Sequence, residues 1–520
     1  MDNQSLSPIA LSIFASRIEA VCDEMGAVLQ RSSFSPNIKD RLDFSCAIFD
    51  ARGDLCAQAA HIPVHMGSMA YAMRDIVGRM NWQEGDMVIL NDPFLGGTHL
   101  PDVTVIAPLF VNQQLTAFVA NRAHHADIGA ETPGSMPISS TLDEEGMVIA
   151  PTYLLRHGSL VQEVMDQLVA QTSVPTQSYG DFAAQISANR TGLTRLALLI
   201  NELGTDQFNN AVAALNDYAE RLAASALQDI PDGDYHFADV MDSDGLGSED
   251  IPIAVTVSVL GHDVTVDFKG TASQTPGNIN CPLSVAAAAV YYVFACLMPS
   301  YAPTCQGLFR RIAIVAPEAS LLNAQRPAAV AAGNVETSTR VVDVVMGALA
   351  QAIPQQMPAA SHGSMNNVAM GARQQMQGVS RQWDYYETIG GGMGGGPQTR
   401  GMDGVQTHMT NTRNTPIEVL EKLYPLRVTR YGLRDGSGGA GLHRGGDGIT
   451  REFEFLEPAT VTLLTERRTH APWGLNGGEA GKPGSNLLNG QALPAKQSFA
   501  VKAGDRLTIE TAGGGGWGKV

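Results

Sequence analysis

The spacing of apolar residues in the N-terminal part of the chain predicts a mixture of helices and strands. Ile9–Leu29 has apolar residues at helical spacing, and a second helix is expected over roughly 64–80. Residues 42–58 contain two apolar runs joined by Asp-Ala-Arg-Gly-Asp, which is typical of a β-hairpin. Three further strands are expected around the glycine-containing turn at 95–102. This part of the chain is therefore predicted to be mixed α/β.

The pattern then changes twice along the chain. Residues 158–229 have helical periodicity, which predicts a helical insert or bundle. From Gly233 the apolar spacing becomes two, and a hairpin is expected around Gly261. The alanine-rich run at 282–298 predicts a buried helix, because no apolar stretch reaches the roughly 18 residues that a membrane span needs.

Glycine use divides the last quarter of the sequence from the rest. Residues 390–520 hold 28 of the 54 glycines, between short strands. None of these glycine runs has the residues of a P-loop or a dinucleotide site, so no cofactor-binding residues are assigned and the glycines are expected in turns and close backbone crossings. We predict a multi-domain mixed α/β (α+β) fold with four regions: an α/β metal-site region at 1–157, a helical insert at 158–230, a central α/β region at 231–389 and a β-rich module at 390–520.

Composition excludes several classes of function. The 520 residues include 34 basic and 52 acidic side chains, for a formal charge of −18, so binding to nucleic acid or to an anionic membrane is not expected. The six cysteines contain no CxxC pair and form no disulfide framework. The N-terminus lacks the basic region and continuous apolar core of a signal peptide. We therefore expect a cytoplasmic protein with reduced, mostly buried thiols.

The residues with the clearest chemistry are two histidines and an aspartate. His99 and Asp102 lie three apart in a loop after a predicted strand, and His124 lies 25 residues later, near the end of the next predicted strand. Two imidazoles and a carboxylate suit a divalent cation and leave coordination positions open, as catalytic sites require. The pattern favours Zn²⁺, with Mn²⁺ and Fe²⁺ as alternatives.

Other polar residues nearby are candidates for supporting roles. Either Asp40 or Asp43 is placed to supply a fourth ligand, because loops at neighbouring strand ends lie close together. Asp92, His125 and Asp127 are expected to orient the imidazoles through hydrogen bonds.

Spacing alone also permits a structural interpretation, because scattered histidines and aspartates in loops are usually solvated or hydrogen-bonded. The pair His61 and His65 in HIPVH lacks the glutamate of a zincin, and Pro63 disturbs the start of the helix. A helix-entry or packing role is favoured for this pair. The chain has no G-x-S-x-G nucleophile motif, and Cys46 lies in an alternating strand where packing is expected.

Motifs along the whole chain resemble those of the hydantoinase B family, which comprises the smaller subunits of ATP-dependent hydantoinases and 5-oxoprolinases. The family is also related to a subunit of acetone and acetophenone carboxylases. The matching segments are LDFSCAIFD at 42–50, HIPVHMGSM at 61–69, the strand–turn–strand segment at 85–110, NRAHHADIG at 121–129, DFKGTASQTPGNIN at 267–280, GNVETSTR at 333–340, NTRNTPIEVLE at 411–421, GSGGAGLHRGG at 436–446, PWGLNGG at 472–478 and the terminal GGGGWG.

The resemblance implies a two-subunit enzyme. The larger partner, a hydantoinase A-type subunit with an actin-like ATPase fold, would bind ATP and Mg²⁺ and phosphorylate the carbonyl oxygen of the substrate. The subunit that resembles this chain would hold the metal, and His99, Asp102 and His124 fall on its ligand positions. Asp40 stands where relatives often have glutamate, which leaves open whether Asp40 or Asp43 reaches the metal and acts in catalysis.

The implied reaction is ATP-dependent hydrolysis of a cyclic amide such as a hydantoin, N-methylhydantoin, 5-oxoproline or another lactam. Water activated at the metal would attack the carbonyl carbon, with Asp40 or Asp43 accepting a proton. An acetone- or acetophenone-type carboxylase subunit is the alternative, although those relatives tend to be longer. A non-catalytic scaffold for the ATPase is the third hypothesis.

Overall fold

The structure of the chain is a computed structural model that describes residues 7–59, 62–373 and 375–520. The mixed α/β class is confirmed. The helices of the described residues are α1 (Pro8–Ser32), α2 (Pro36–Lys39), α3 (Pro63–Arg79), α4 (Gln162–Ala170), α5 (Pro175–Leu203), α6 (Thr205–Leu227), α7 (Leu283–Leu297), α8 (Ser338–Ala352) and α9 (Ile417–Leu423).

The strands fall into four sheets, in the spatial orders β2-β1-β5-β4-β3-β6-β7, β11-β10-β9-β8, β13-β12-β16-β19 and β14-β15-β20-β17-β18. The pairing is antiparallel except between β10 and β11. Their bounds are β1 (Phe44–Asp50), β2 (Leu55–Gln58), β3 (Met87–Leu90), β4 (Asp102–Val111), β5 (Gln114–His124), β6 (Thr152–Arg156), β7 (Ser159–Leu160), β8 (Gly233–Ser243), β9 (Glu249–Leu260), β10 (Asp263–Asp267), β11 (Ile312–Val315), β12 (Asn367–Ala372), β13 (Trp383–Glu387), β14 (Leu426–Arg434), β15 (Gly448–Phe455), β16 (Ala459–Leu464), β17 (Ser485–Leu488), β18 (Gln491–Leu493), β19 (Lys496–Val501) and β20 (Arg506–Glu510).

The central strands of the first sheet are buried on both faces, which explains why apolar residues follow one another in β1, β3 and β4 rather than alternating with polar ones. Val105 and Val119 belong to the core that includes residues of α1 and α5. Their neighbours Ile106 and Phe118 belong to a separate core under α3. Successive side chains of a strand point to opposite faces, so one continuous apolar run supplies both layers.

The predicted helical insert packs directly on this sheet. Helix α5 lies along α1 and against β4 and β5. Asn189 Nδ2 donates to the carbonyl oxygen of Val105 over 2.9 Å, which ties α5 to β4. The four-region division of the chain stays a prediction.

The second sheet contains the hairpin expected around Gly261, formed by β9 and β10. Helix α8 packs on β8, and α7 packs on both α8 and α3. The contact between α3 and α7 requires a glycine, because a Cβ on Gly67 would lie 2.4 Å from the Cα of Ala288. A single π-helical turn over Gly333–Thr337 leads into α8.

The glycine-rich segments of the C-terminal region hydrogen-bond to one another through their backbones. Gly514 N donates to Gly446 O over 2.9 Å, and Gly395 N donates to Gly515 O over 2.8 Å. A Cβ on Gly445 would lie 1.9 Å from Gly514 O, so no other residue fits at this crossing. The interpretation of these glycines as close backbone crossings is confirmed.

None of the six cysteines, all within the described residues, is in a disulfide, and all except Cys296 are buried. Among the helices of the described residues, none combines the length and the apolar character needed to cross a bilayer.

Candidate metal centre

Strand pairing brings the distant parts of the metal motif together. Asp102 begins β4 and His124 ends β5, and the antiparallel register places these two residues directly opposite each other. His99 lies in the turn that precedes β4. A separation of more than 20 residues in sequence thus becomes a cross-strand contact.

The three side chains form a compact cluster in the interior. Both His99 Nε2 and His124 Nδ1 lie 3.2 Å from Asp102 Oδ1. One ligand atom from each residue lies within 4.8 Å of the other two, and all three residues are buried. The structure therefore brings together the three residues that the sequence predicts as metal ligands, in an arrangement that would suit a cation.

Hydrogen bonding leaves ring nitrogens available for a ligand. His99 Nδ1 lies 3.2 Å from the carbonyl oxygen of Ala331, which can only accept, so this nitrogen carries the proton. Both Nε2 atoms are buried: His124 Nε2 has no hydrogen-bond partner within the described ranges, and His99 Nε2 has none besides the Asp102 oxygen 3.2 Å away. Buried imidazole nitrogens without partners are costly, and a cation beside them would remove that cost.

The protonation states of two of the three side chains, Asp102 and His124, suit a cation. Burial would raise the pKa of Asp102, but His99 and His65 outweigh that effect and hold the pKa well below its usual range. Burial lowers the pKa of His124, which favours the neutral ring that can act as a ligand. Burial also opposes the protonation of His99, but the adjacent Asp102 outweighs it and raises the pKa of His99. The cluster thus contains an ionised carboxylate and a neutral imidazole at neutral pH.

The second oxygen of Asp102 is held by three further side chains. Thr98 Oγ1 donates to Asp102 Oδ2 over 2.6 Å, and Asn334 Nδ2 donates to it over 3.3 Å. His65 Nε2 lies 3.2 Å from the same oxygen, and its Nδ1 lies 3.2 Å from Ser45 Oγ. These contacts fix the orientation of the carboxylate.

Sequence reasoning missed His65 as a neighbour of the cluster. The predicted position of His65 at the start of a helix is correct, because it lies in the first turn of α3. Its ring, however, also contacts Asp102. His61, the other member of the pair, lies outside the described residues. The four-residue spacing of the two histidines was the available signal.

The remaining neighbours come from distant parts of the chain. Tyr386 stacks on His124 with ring centroids 4.7 Å apart, and its hydroxyl donates to Asn367 Oδ1. Asn334 and the Ala331 carbonyl lie in and beside the π-helical turn. The motif GNVETSTR contained Asn334, but nothing in its spacing connected it with Asp102.

The two candidates for a fourth ligand occupy different environments. Asp43, Asp102 and His124 line one small cavity of about 20 Å³ together with Tyr386. This volume is about that needed for one water molecule or ion. Asp40 instead ends the short helix α2 and is half-buried, and burial raises its pKa. Of the two, Asp43 is the residue that lines the cavity.

The three residues expected to orient the imidazoles have other partners. Asp92 caps a short turn and pairs with Arg326. His125 Nε2 lies 3.0 Å from Gln185 Oε1, and its ring stacks on Phe182. Asp127 accepts hydrogen bonds from Ser135, from Gly129 N and from Ser173 N. The imidazole of His99 is oriented instead by the Ala331 carbonyl. The Asp102 carboxylate is oriented by Thr98, Asn334 and His65.

Comparison with known proteins shows the family. The family model described as hydantoinase B/oxoprolinase matches residues 7–520. The chain belongs to this family, and it is of the hydantoinase/oxoprolinase subunit type.

The chain covers very different shares of the length of two relatives. 5-Oxoprolinase 1 of Arabidopsis thaliana is 40% identical over 98% of the chain, but the chain spans 42% of that protein. A protein of Pseudomonas sp., named as a candidate B-type subunit of a D-/L-hydantoinase, is 34% identical, with 99% of the chain and 91% of the relative covered. The name of the second relative implies a partner subunit.

Two solved structures share the fold. The ATP-dependent caprolactamase from Pseudomonas jessenii has a TM-score of 0.91 and 26% identity, over 99% of this chain and 92% of that chain. An acetone carboxylase, solved in a nucleotide-free state, has a TM-score of 0.86 at 16% identity, over 98% of this chain and 76% of that chain. The second likeness concerns the fold alone.

Proposed function

We propose that this chain is the metal-bearing subunit of an ATP-dependent cyclic-amide hydrolase. The observation that carries the proposal is the buried cluster of His99, Asp102 and His124, in which His124 Nε2 has no hydrogen-bond partner within the described residues and His99 Nε2 faces the Asp102 carboxylate. Similarity to an oxoprolinase, a candidate hydantoinase subunit and a caprolactamase supports a cyclic amide as the substrate.

The contacts of each residue indicate its role in the proposed site. His99, Asp102 and His124 would hold a divalent cation, with Zn²⁺ favoured over Mn²⁺ and Fe²⁺. When bound, such a cation supplies Lewis acidity and makes a coordinated water more acidic. Thr98 and Asn334 keep the Asp102 carboxylate in one orientation.

Asp43 is the carboxylate that we assign to the proton transfer or to the fourth ligand position. It lines the same small cavity as Asp102 and His124. Its backbone oxygen accepts the hydrogen bond of His124 N over 3.0 Å, so the backbone of Asp43 is held beside the cluster. Asp43 would accept a proton from the attacking water.

ATP is assigned to a partner subunit of the hydantoinase A type. The glycine-rich segments of this chain are engaged in hydrogen bonds with one another, as between Gly514 and Gly446. An unactivated amide is a poor electrophile, and phosphorylation of its carbonyl oxygen by the partner would create a good leaving group.

The test is an assay of the chain co-expressed with its partner, with ATP and a panel of hydantoins, lactams and 5-oxoproline. We expect ATP-dependent ring opening that is lost in the His124→Ala variant. Unchanged turnover in that variant would show that the site assignment is wrong.

A carboxylase of the acetone type is the alternative, supported by the shared fold. It predicts a third, small subunit in the complex and ATP-dependent incorporation of bicarbonate into a ketone. The scaffold hypothesis predicts that variants of the cluster leave turnover unchanged.

A further inference from the structure

A larger cavity lies beside the small cavity that Asp43, Asp102 and His124 line. Its volume is about 390 Å³, compared with about 20 Å³ for the small one. His408 lines the larger cavity, the next residue Met409 lines the small one, and Thr410 lines both. Likewise, Pro63 lines the larger cavity and the next residue, Val64, lines the small one. The wall between them is therefore as thin as one segment of backbone.

The larger cavity, which we call the methionine cavity, has an apolar and uncharged lining. Of the described residues that line it, none is lysine, arginine, aspartate or glutamate. Methionine side chains adapt to ligands of different shape, and a volume of this size is typical of sites for small molecules. The apolar lining includes Val293, Met346, Met357, Met393 and Met402.

The lining contains a histidine whose ring has no hydrogen-bond partner among the described residues. His408 is only 8% exposed, and neither ring nitrogen has a hydrogen-bond partner among the described residues. Burial lowers the pKa of His408, so the ring is neutral at pH 7 and offers one donor and one acceptor. The nearest carboxylate oxygen, on Asp343, lies 4.0 Å from Nε2. An amide could meet either nitrogen, because its carbonyl oxygen accepts from the ring N–H and its own N–H donates to the unprotonated ring nitrogen.

We propose that the methionine cavity binds the ring of an uncharged cyclic amide and selects against rings that carry a free carboxylate, such as 5-oxoproline. This inference rests on the proposed function, because it names the class of substrate that would be bound beside the cluster of His99, Asp102 and His124. An ionised carboxylate would lose its hydration on entry, and the described lining offers no cation to replace it. An alkyl-substituted hydantoin or a medium-ring lactam would bury apolar surface there instead.

The test compares two probes that share one ring. 5-Oxoprolinamide is neutral, and 5-oxoproline carries a carboxylate at the same position. Titration calorimetry with the full chain at pH 7 is expected to show at least tenfold tighter binding of the amide. Equal affinities, tighter binding of the acid, or binding of neither probe would overturn the inference.

A variant at the exposed rim of the cavity locates the binding site. Met402 lines the cavity and is 57% exposed, so its replacement by lysine should not disturb folding. Met402→Lys is expected to strengthen binding of 5-oxoproline at least tenfold, whereas the uncharged control Met402→Leu keeps the preference of the natural chain. Unchanged affinities in Met402→Lys would show that the probes bind elsewhere, which also contradicts the inference.

The binding measurements and the turnover assay test the cavity assignment and the proposed function independently. If the co-expressed complex hydrolyses cyclic amides but the chain does not prefer the neutral probe, the cavity assignment is wrong and the proposed function stands. If the probes behave as expected but no cyclic amide is hydrolysed with ATP, the proposed function is wrong.

Discussion

Two clusters of buried polar side chains differ in what their members contact. In the first, which joins the central and C-terminal parts of the chain, every carboxylate meets a cation. Arg467 Nη2 lies 2.6 Å from Asp343 Oδ2 and 2.8 Å from Asp239 Oδ2. Lys496 and Arg340 both pair with Glu466.

In the cluster of His99, Asp102 and His124, the carboxylate faces three imidazoles, including that of His65, and His124 Nε2 is left without a partner in the described part of the chain. Permanently charged arginines and a lysine balance the carboxylates of the first cluster, whereas the groups facing Asp102 include imidazoles, which can lose their protons and act as metal ligands. The comparison therefore separates a structural network from a site that is arranged for binding.

Removing the central carboxylate should have the largest effect. We expect Asp102→Asn to lose the bound metal and at least a thousandfold in ATP-dependent turnover, which corresponds to about 4 kcal/mol. Metal analysis and turnover with the partner subunit measure both losses. Asp127→Asn is the matched control, because Asp127 contacts Ser135 and backbone amides rather than the cluster. Stoichiometric metal in Asp102→Asn would contradict the assignment.

The structural network should respond in the opposite way. Arg467→Met leaves Asp239 and Asp343 buried without this partner and should cost about 3 kcal/mol in the free energy of unfolding. Metal content should stay the same. Urea denaturation gives the stability, and Arg52→Met, at an exposed ion pair with Asp50, should change it by less than about 0.5 kcal/mol. Loss of metal together with an unchanged unfolding midpoint in Arg467→Met would contradict a purely structural role for this network.

Acid should weaken the structural network through Asp239. Burial would raise the pKa of Asp239, but Arg340 and Arg467 lower it from 3.8 to about 2. The resulting stabilisation, about 2 kcal/mol, is fully present above pH 3.8 and is lost as pH falls towards 2. Unfolding measured between pH 6 and 2 should therefore show a steeper loss for the natural chain than for Asp239→Asn. Parallel curves would count against the ion pairs.

The smallest effect is expected where a neighbour only orients the carboxylate. Thr98→Val removes the hydrogen bond to Asp102 Oδ2 and should weaken metal binding about tenfold, or about 1.4 kcal/mol. A chelator competition titration measures the affinity. Thr116→Val is the control, because the Thr116 hydroxyl donates to the backbone oxygen of Gln114 instead. Equal affinities in the two variants would remove Thr98 from the site.

The sequence predicted those features that depend on local pattern. The β1–β2 hairpin, the helices of the insert and the positions of His99, Asp102 and His124 follow from apolar periodicity and from strand ends. Asp102 and His124 lie on neighbouring strands and His99 lies just before the first of them, so strand pairing was enough to bring the three predicted ligands together.

The rest of the site depends on contacts that no local pattern encodes. Asn334 and Tyr386 reach the cluster from more than 200 residues away, through the packing of the π-helical turn and β13. The choice between Asp40 and Asp43 depended on where α2 ends relative to β1, a boundary that sequence patterns fix poorly. Asp92, His125 and Asp127 were near in sequence, but Arg326, Gln185 and Ser135 engage them instead.

The most direct test of the metal centre is a crystal structure of the full chain with anomalous diffraction measured at the absorption edges of zinc, manganese and iron. We predict one anomalous peak bounded by His99, Asp102 and His124, at about 2.0–2.3 Å from their ligand atoms. The same crystals of Asp102→Asn should lack that peak. A fully ordered cluster with no peak at any of these edges, in protein purified without chelators, would contradict the assignment of this cluster as a metal centre.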